Sequence, residues 1–202
     1  MKKIILSVVA IMAFGFANAQ DKKDGGVGLA SGDIYLGGTF NISSDTQGDA
    51  KESGFTVSPG LGYMLTDNWA IEGSLLYTSS KETDALGNDS LDLSGVGIGV
   101  GAKYYFTPAN AFSLSLGGEL AYAMLTNKAL VSGADDVKVT AIALNVPVGL
   151  HYFVSDNFAI TTEWGGLNYT SAKSDVSGSD PANSLSLGLD MASISFGLIY
   201  KL

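Results

Sequence analysis

The stretch from residue 63 to residue 77, YMLTDNWAIEGSLLY, limits what this chain can fold into more than any other segment. After a short polar break at 66–68, apolar residues occupy every second position from Trp69 to Tyr77, and mostly small or polar residues lie between them. Successive side chains of a β-strand point to opposite faces, so a period of two indicates strand and not helix. The segment therefore predicts two strands joined by a tight turn.

The same corner recurs along the chain. The sequence VSDNFAI at 154–160 repeats LTDNWAI at 65–71, and FTPANAF at 106–112 is a looser copy. Trp69, Phe112, Phe158 and the last residue, Leu202, follow one another at steps of 43, 46 and 44 residues. A regular step of this size corresponds to one up-and-down hairpin with one longer connection. With eight alternating runs in total, the sequence predicts an all-β fold, an eight-stranded antiparallel up-and-down barrel.

The two faces of these strands differ in chemistry, and the difference favours a barrel that crosses a membrane. One face is almost unbroken Val, Ile, Leu and aromatic residues, whereas the other carries glycine, serine and a few long polar groups. Eight strands enclose a space only wide enough for side chains, so we place the second face inside and the apolar face against lipid. A soluble barrel would need the reverse arrangement. The ionisable residues predicted to form a lumen charge network are Glu72, Lys103, Glu119, His151, Glu163 and Lys201.

Buried charges need partners, so we interpret this network as interior ion pairs that fill the lumen, with a gate or a proton path as the alternative. Aromatic residues on the apolar face near the strand ends are predicted to lie at the membrane interfaces. From Trp69 to Tyr77 a tilted strand rises roughly 19 Å along the membrane normal, close to the height of an apolar band. The predicted interface aromatics are Tyr63, Trp69, Tyr77, Tyr104, Phe106, Phe112, Tyr122, Tyr152, Phe158, Trp164 and Tyr200.

The connections alternate in length. Short turns are predicted at 66–68, 107–111 and 155–157, and longer connections rich in Ser, Asp, Gly and Asn at about 44–53, 79–91, 125–137 and 170–184. Membrane barrels have short periplasmic turns and longer external loops, so both ends of the barrel segment should lie on the periplasmic side.

The start of the chain is typical of an exported protein. Lys2 and Lys3 precede an apolar run at 4–16, and Ala17-Asn18-Ala19 matches a small-residue cleavage site. The apolar run is too short for a spanning helix. We therefore predict a signal peptide over 1–19, a short polar periplasmic leader over 20–32 and the barrel over 33–202. The chain has no cysteine, so no disulfide can hold it together.

Charge and composition exclude several functions. The chain has 20 acidic residues and no arginine, and an acidic surface repels phosphate backbones, so we expect no nucleic-acid partner. The single histidine is predicted to point inward near a periplasmic turn, which leaves no Ser-His-Asp site at the external rim. The acids that follow Asp84 lack the spacing of a calcium loop, and solvated loop charge is the simpler interpretation. We expect no catalytic, cofactor-binding or metal site.

The D-N-[WF]-A-I corners at 67–71 and 156–160, together with the alternating final strand ISFGLIYKL at 194–202, resemble a known family. The chain is similar to the small eight-stranded outer-membrane barrels of the OmpA/OmpX transmembrane type. The resemblance implies a location in outer-membrane lipid, insertion by the barrel-assembly machinery that reads the final strand, and a monomer. Leu202 stands where this family usually has phenylalanine. A structural or surface-interaction role is expected, with a narrow channel for small solutes or ions as the alternative and any loop ligand unidentified.

The processing site can be tested directly. Replacing Ala19 by leucine should leave unprocessed precursor, because the peptidase requires small residues in its cleavage site. In the unaltered chain, mass spectrometry of purified protein should identify Gln20 as the first residue. Ala10→Leu in the apolar run is the matched control and should be processed normally. A mature chain that starts elsewhere would refute the predicted site.

Overall fold

The computed structural model describes residues 27–130, 135–188 and 195–202, and the predicted signal peptide and most of the leader lie outside these ranges. The strands are β1 (Ile34–Gln47), β2 (Ala50–Met64), β3 (Trp69–Thr83), β4 (Asp89–Tyr105), β5 (Phe112–Asn127), β6 (Val137–Phe153), β7 (Phe158–Ser174), β8 (Ala182–Gly188) and β9 (Ser195–Lys201). Within these ranges, no helix has the length and hydropathy needed to cross a membrane.

All neighbouring strands pair antiparallel, and the sheet closes on itself. Each strand from β1 to β7 pairs with the next one along the chain. β8 pairs with the second half of β7, opposite Gly166–Ala172, and β9 pairs with its first half, opposite Phe158–Glu163. β8 and β9 therefore share one position in the wall, and β9 also pairs with β1. The predicted eight-stranded up-and-down barrel is confirmed.

The side chains alternate between an exposed outer surface and a buried interior. Leu75, on the outside of β3, is 56% exposed, and Ile98 and Val100 on β4 are exposed in the same way. Tyr105, at the end of β4, and Met64, at the end of β2, are fully buried. Large apolar groups on the outer surface and a buried interior at one end fit a barrel whose wall faces hydrocarbon.

The two prolines within strands have different effects. Pro147 lies at a register shift of β6 between Val146 and Val148, opposite the positive-φ glycines Gly165 and Gly166 of β7. Proline cannot donate a ladder hydrogen bond, and a bulge absorbs this loss. Pro59, in contrast, faces Gly38 of β1 with no change of register. Of these two prolines, only Pro147 therefore lies at a bulge.

The hairpins opposite the short turns extend further as paired strands than the sequence suggested. β3 and β4 stay paired up to a short connection at 84–88, although the sequence predicted a loop over 79–91. Cross-strand charges stabilise this extension, because the Asp92 carboxylate lies 3.3 Å from Lys81 Nζ and 3.2 Å from Lys128 Nζ. At the tip, backbone N–H groups of Asn88 and Leu86 donate to the Asp84 carboxylate and hold its pKa below the usual range.

Substitution of leucine by lysine at two positions tests the orientation of the wall. Leu75→Lys places an ammonium in the apolar band and should lower the free energy of unfolding by about 2–4 kcal/mol if it lies near the bilayer centre. Leu86→Lys is the matched control at a hairpin tip, where the leucine is 86% exposed. This change should alter stability by no more than about 0.5 kcal/mol. Urea unfolding in lipid vesicles measures both.

Cysteine labelling separates a lipid-facing position from a soluble core position. In membranes, Leu75→Cys should react with a lipid-soluble maleimide and resist a charged one, while Leu86→Cys should react rapidly with the charged reagent. Rapid labelling of position 75 by the charged reagent would overturn the assignment of faces.

Candidate functional site

A buried lysine joins two carboxylates inside the barrel. Lys103 of β4 is 9% exposed, and its Nζ lies 3.0 Å from Glu72 Oε2 of β3 and 2.7 Å from Glu163 Oε1 of β7. β4 and β7 are not neighbours in the sheet, so the contact with Glu163 crosses the lumen. An ammonium held between two carboxylates is well compensated in an interior of low dielectric.

Two tyrosines extend this cluster towards the end of the barrel that carries the short turns. Tyr35 Oη donates to Glu72 Oε1 at 2.6 Å, and Tyr105 Oη donates to Tyr35 Oη at 3.2 Å. The Tyr35 ring occupies the space that a side chain at Gly62 would fill. The selection of candidate residues by charge missed both tyrosines. Both tyrosines occupy inward-facing positions in strands whose residues alternate between two faces. This pattern could have identified them.

Glu119 lies in a separate polar group further along the lumen. Its carboxylate accepts hydrogen bonds from Ser74 Oγ at 2.7 Å and from Asn145 Nδ2 at 3.3 Å. A side chain at Gly99 would overlap both the Glu119 carboxylate and the Ser74 hydroxyl. Part of the glycine-rich inner face of β4 therefore makes room for side chains of neighbouring strands.

His151 lies beside Tyr105 inside the barrel. Its Nε2 lies 2.7 Å from Ser115 Oγ, and its ring lies 4.9 Å from the Tyr105 ring, centroid to centroid. Among the described residues, no group hydrogen-bonds its Nδ1. A serine nucleophile needs a histidine oriented by a third group and needs access to substrate. Ser115 and His151 are both buried, so this contact has the form of interior packing.

A layer of buried side chains, called the floor below, lies at the end of the lumen next to the short turns. Its members are Leu29, Tyr35, Met64, Ala70, Tyr105, Phe153, Ala159 and Ile199. Lys201 lies beside this layer, and its Nζ donates to Gly28 O at 2.8 Å. Further into the barrel, a cavity of about 180 Å³ is lined by residues that include Lys103, Glu119 and Glu163.

The eleven predicted interface aromatics are distributed over the outer wall. Tyr63, Trp69, Phe106, Phe112, Tyr122 and Tyr152 are exposed, and Tyr77, Tyr104, Phe158, Trp164 and Tyr200 are partly exposed. Tyr104 contacts Trp69 and Phe106 edge to face near the short turns, with 5.1 Å between the ring centroids of each pair. In the part of the chain that the structure describes, no group of three His, Asp or Glu side chains is placed to hold a metal ion.

A closed antiparallel wall with an apolar exterior and polar groups in its interior defines a small transmembrane β-barrel. The chain belongs to the family of outer membrane protein β-barrel domains, whose sequence model matches residues 6–201. Membership indicates a location in outer-membrane lipid. A comparison with curated protein sequences gave no significant match.

Solved structures share the fold at low sequence identity. The outer membrane protein OprG of Pseudomonas aeruginosa is 16% identical, with a TM-score of 0.52 over 89% of this chain and 99% of that one. The N-terminal β-barrel domain of OprF from the same organism is 13% identical, with a TM-score of 0.51 over 86% and 100%. A major outer membrane protein of Thermus thermophilus is 9% identical, with a TM-score of 0.50 over 84% and 98%. Similarities at this level of sequence identity show a shared fold and nothing more.

Removing the central ammonium tests the charge cluster. Lys103→Met leaves two carboxylates without their shared cation and should lower the free energy of unfolding by about 3–5 kcal/mol. Lys128→Met is the matched control, because Lys128 is exposed in its pair with Asp92. Loss of an exposed pair should cost no more than about 1 kcal/mol. Urea unfolding in detergent micelles measures both.

A second substitution distinguishes an electrostatic effect from a packing effect. Glu163→Gln in the Lys103→Met background removes one of the uncompensated carboxylates and should restore part of the lost stability. If the two losses simply add, the ion pair is not the cause.

Proposed function

We propose that this protein is an integral outer-membrane barrel with a structural or surface-interaction role, whose lumen is filled by side chains. The observation that carries the proposal is the closed floor of the lumen. Tyr35, Met64 and Tyr105 are buried together there, and directly beyond them Lys103 crosses the lumen to Glu163. Both features oppose the passage of a solute, because a path would require buried rings to move and an ion pair to break.

The surface role is supported by the hairpins at the opposite end. β3 and β4 extend as a paired ribbon well beyond the last interface aromatic of β3, Tyr77, and end in the exposed tip at 84–88. Ribbons of this kind present backbone and side chains away from the membrane on a rigid base. The ligand of this surface, if it has one, is a partner of unidentified chemistry.

We infer that cleavage after Ala19 gives a mature chain starting at Gln20 and that the barrel-assembly machinery inserts it through its final strand. The barrel works as a monomer in outer-membrane lipid. It has no enzymatic activity, in keeping with the burial of the Ser115 and His151 contact.

A narrow channel for small solutes or ions is the second candidate. It is favoured by the interior cavity of about 180 Å³, which is large enough for several water molecules. A continuous path would still have to pass the buried tyrosines at the floor.

Planar-bilayer recordings distinguish the two functions. The unaltered protein should give no sustained conductance steps in potassium chloride. Tyr105→Ala combined with Glu163→Gln should produce such steps, because the first change removes a buried ring from the floor and the second weakens the ion pair that crosses the lumen. Tyr77→Ala, a tyrosine replacement on the outer wall, is the matched control and should behave like the unaltered protein. Regular steps from the unaltered protein would instead favour the channel.

A further inference from the structure

The described residues of β1 and β9 pair over a short stretch. β1 pairs with β2 along its whole length, Ile34–Gln47, but it pairs with β9 only over Tyr35–Phe40. The next residues in this register, Asn41 and Ser195, are both described and do not pair. Within the described residues, the seam between β1 and β9 is therefore six residue pairs long.

A segment before β1, Gly28–Asp33, lies across the periplasmic end and is called the strap below. Leu29 is 1% exposed and belongs to the buried layer that forms the floor. Its backbone N–H donates to Pro108 O, in the turn between β4 and β5, at 2.8 Å. Gly32 N donates to Met64 O, at the end of β2, at 2.9 Å. The strap is thus attached to the periplasmic ends of strands away from the seam.

The strap is also attached to the last strand. Lys201 of β9 is 5% exposed, and its Nζ donates to Gly28 O at 2.8 Å and lies 3.9 Å from Asp33 Oδ2. Leu202 N donates to Ile34 O at 2.9 Å. A charge-assisted bond at a buried site is stronger than a neutral one. The Lys201 contacts connect β9 to the strap, and the Leu202 contact reaches the first residue of β1, so both cross the seam.

One glycine fixes how closely the strap docks. Gly28 has a φ of 102°, and a Cβ at this position would overlap the Pro108 carbonyl, which is backbone and cannot turn aside. Gly32 has a similar φ of 87°, but a Cβ there would meet nothing within 4 Å. Alanine at either position would carry the strain of a positive φ. Only alanine in place of Gly28 would also clash with Pro108.

We infer that the strap acts as a closure clasp: it holds β9 against β1 and stabilises the closed barrel at its periplasmic end. Its anchors are Met64, Pro108 and Lys201, which lie at different points around the barrel and are brought together only when the barrel is closed. Docking of the strap is consequently coupled to closure, and an undocked strap leaves the seam to open on its own hydrogen bonds.

Hydrogen exchange of the barrel in lipid nanodiscs tests the clasp. Gly28→Ala should accelerate exchange of the amides in Tyr35–Phe40 roughly tenfold, because local opening of the seam becomes easier. Amides in the β3–β4 pair should exchange at the unaltered rate. Gly32→Ala is the matched control and should leave both regions unchanged apart from a small effect of strain. Equal acceleration around the whole barrel, or none, would overturn the clasp.

A second variant keeps the test valid if Gly28→Ala fails to insert. Leu29→Ala removes the buried side chain of the strap without a clash, and it should accelerate exchange at the seam in the same selective way. Leu36 and Tyr200 are direct partners across the seam, and the chain has no other cysteine to interfere with a Leu36→Cys, Tyr200→Cys disulfide. Oxidation of this pair should restore slow exchange in the Leu29→Ala background. If exchange stays fast with the seam covalently closed, the strap does not act through closure.

Discussion

The hydrocarbon core of a bilayer offers no water to backbone N–H and C=O groups, and every other feature of this barrel depends on that constraint. A strand can cross only if both of its edges are paired, so the first and last strands must meet. They do so over Tyr35–Phe40 and Phe196–Lys201. The strap adds a contact at the end of this seam next to the short turns, where Lys201 Nζ donates to Gly28 O.

Closure with eight strands leaves a narrow lumen, and this limits which side chains fit inside. The inner face of β4 provides space through Gly99, beside which the Glu119 carboxylate lies. Lys103 uses its length to reach Glu163 on the far wall. Hydration is restricted there, so the Lys103 ammonium needs the carboxylates of Glu72 and Glu163 as partners.

The sequence predicted the strands best where the two faces differ most. From Trp69 to Tyr77 the two faces alternate with Leu76 as the one large apolar residue on the inner face, and the structure places the turn before this strand as expected. The prediction was wrong about the extent of the loops. Around Lys81 the residues of β3 are all polar, so the pattern carries no strand signal there, and only pairing with β4 shows that the ribbon continues. Pro59 causes no bulge, unlike Pro147, and the residue type alone could not indicate this difference.

The sequence by itself determined the number of strands, the closed antiparallel order and the face on which each side chain lies, because these follow from a period of two and from the solvent on each side of the wall. Only the tertiary structure decided which interior groups meet. Glu163 contacts Lys103 from a strand that is not its neighbour, while His151 contacts Ser115. Such partners are far apart in sequence, and their distance depends on strand register and on the width of the lumen. The docking of Leu29 beneath the barrel depends on the same geometry, since its binding site exists only after several turns have been brought together by closure.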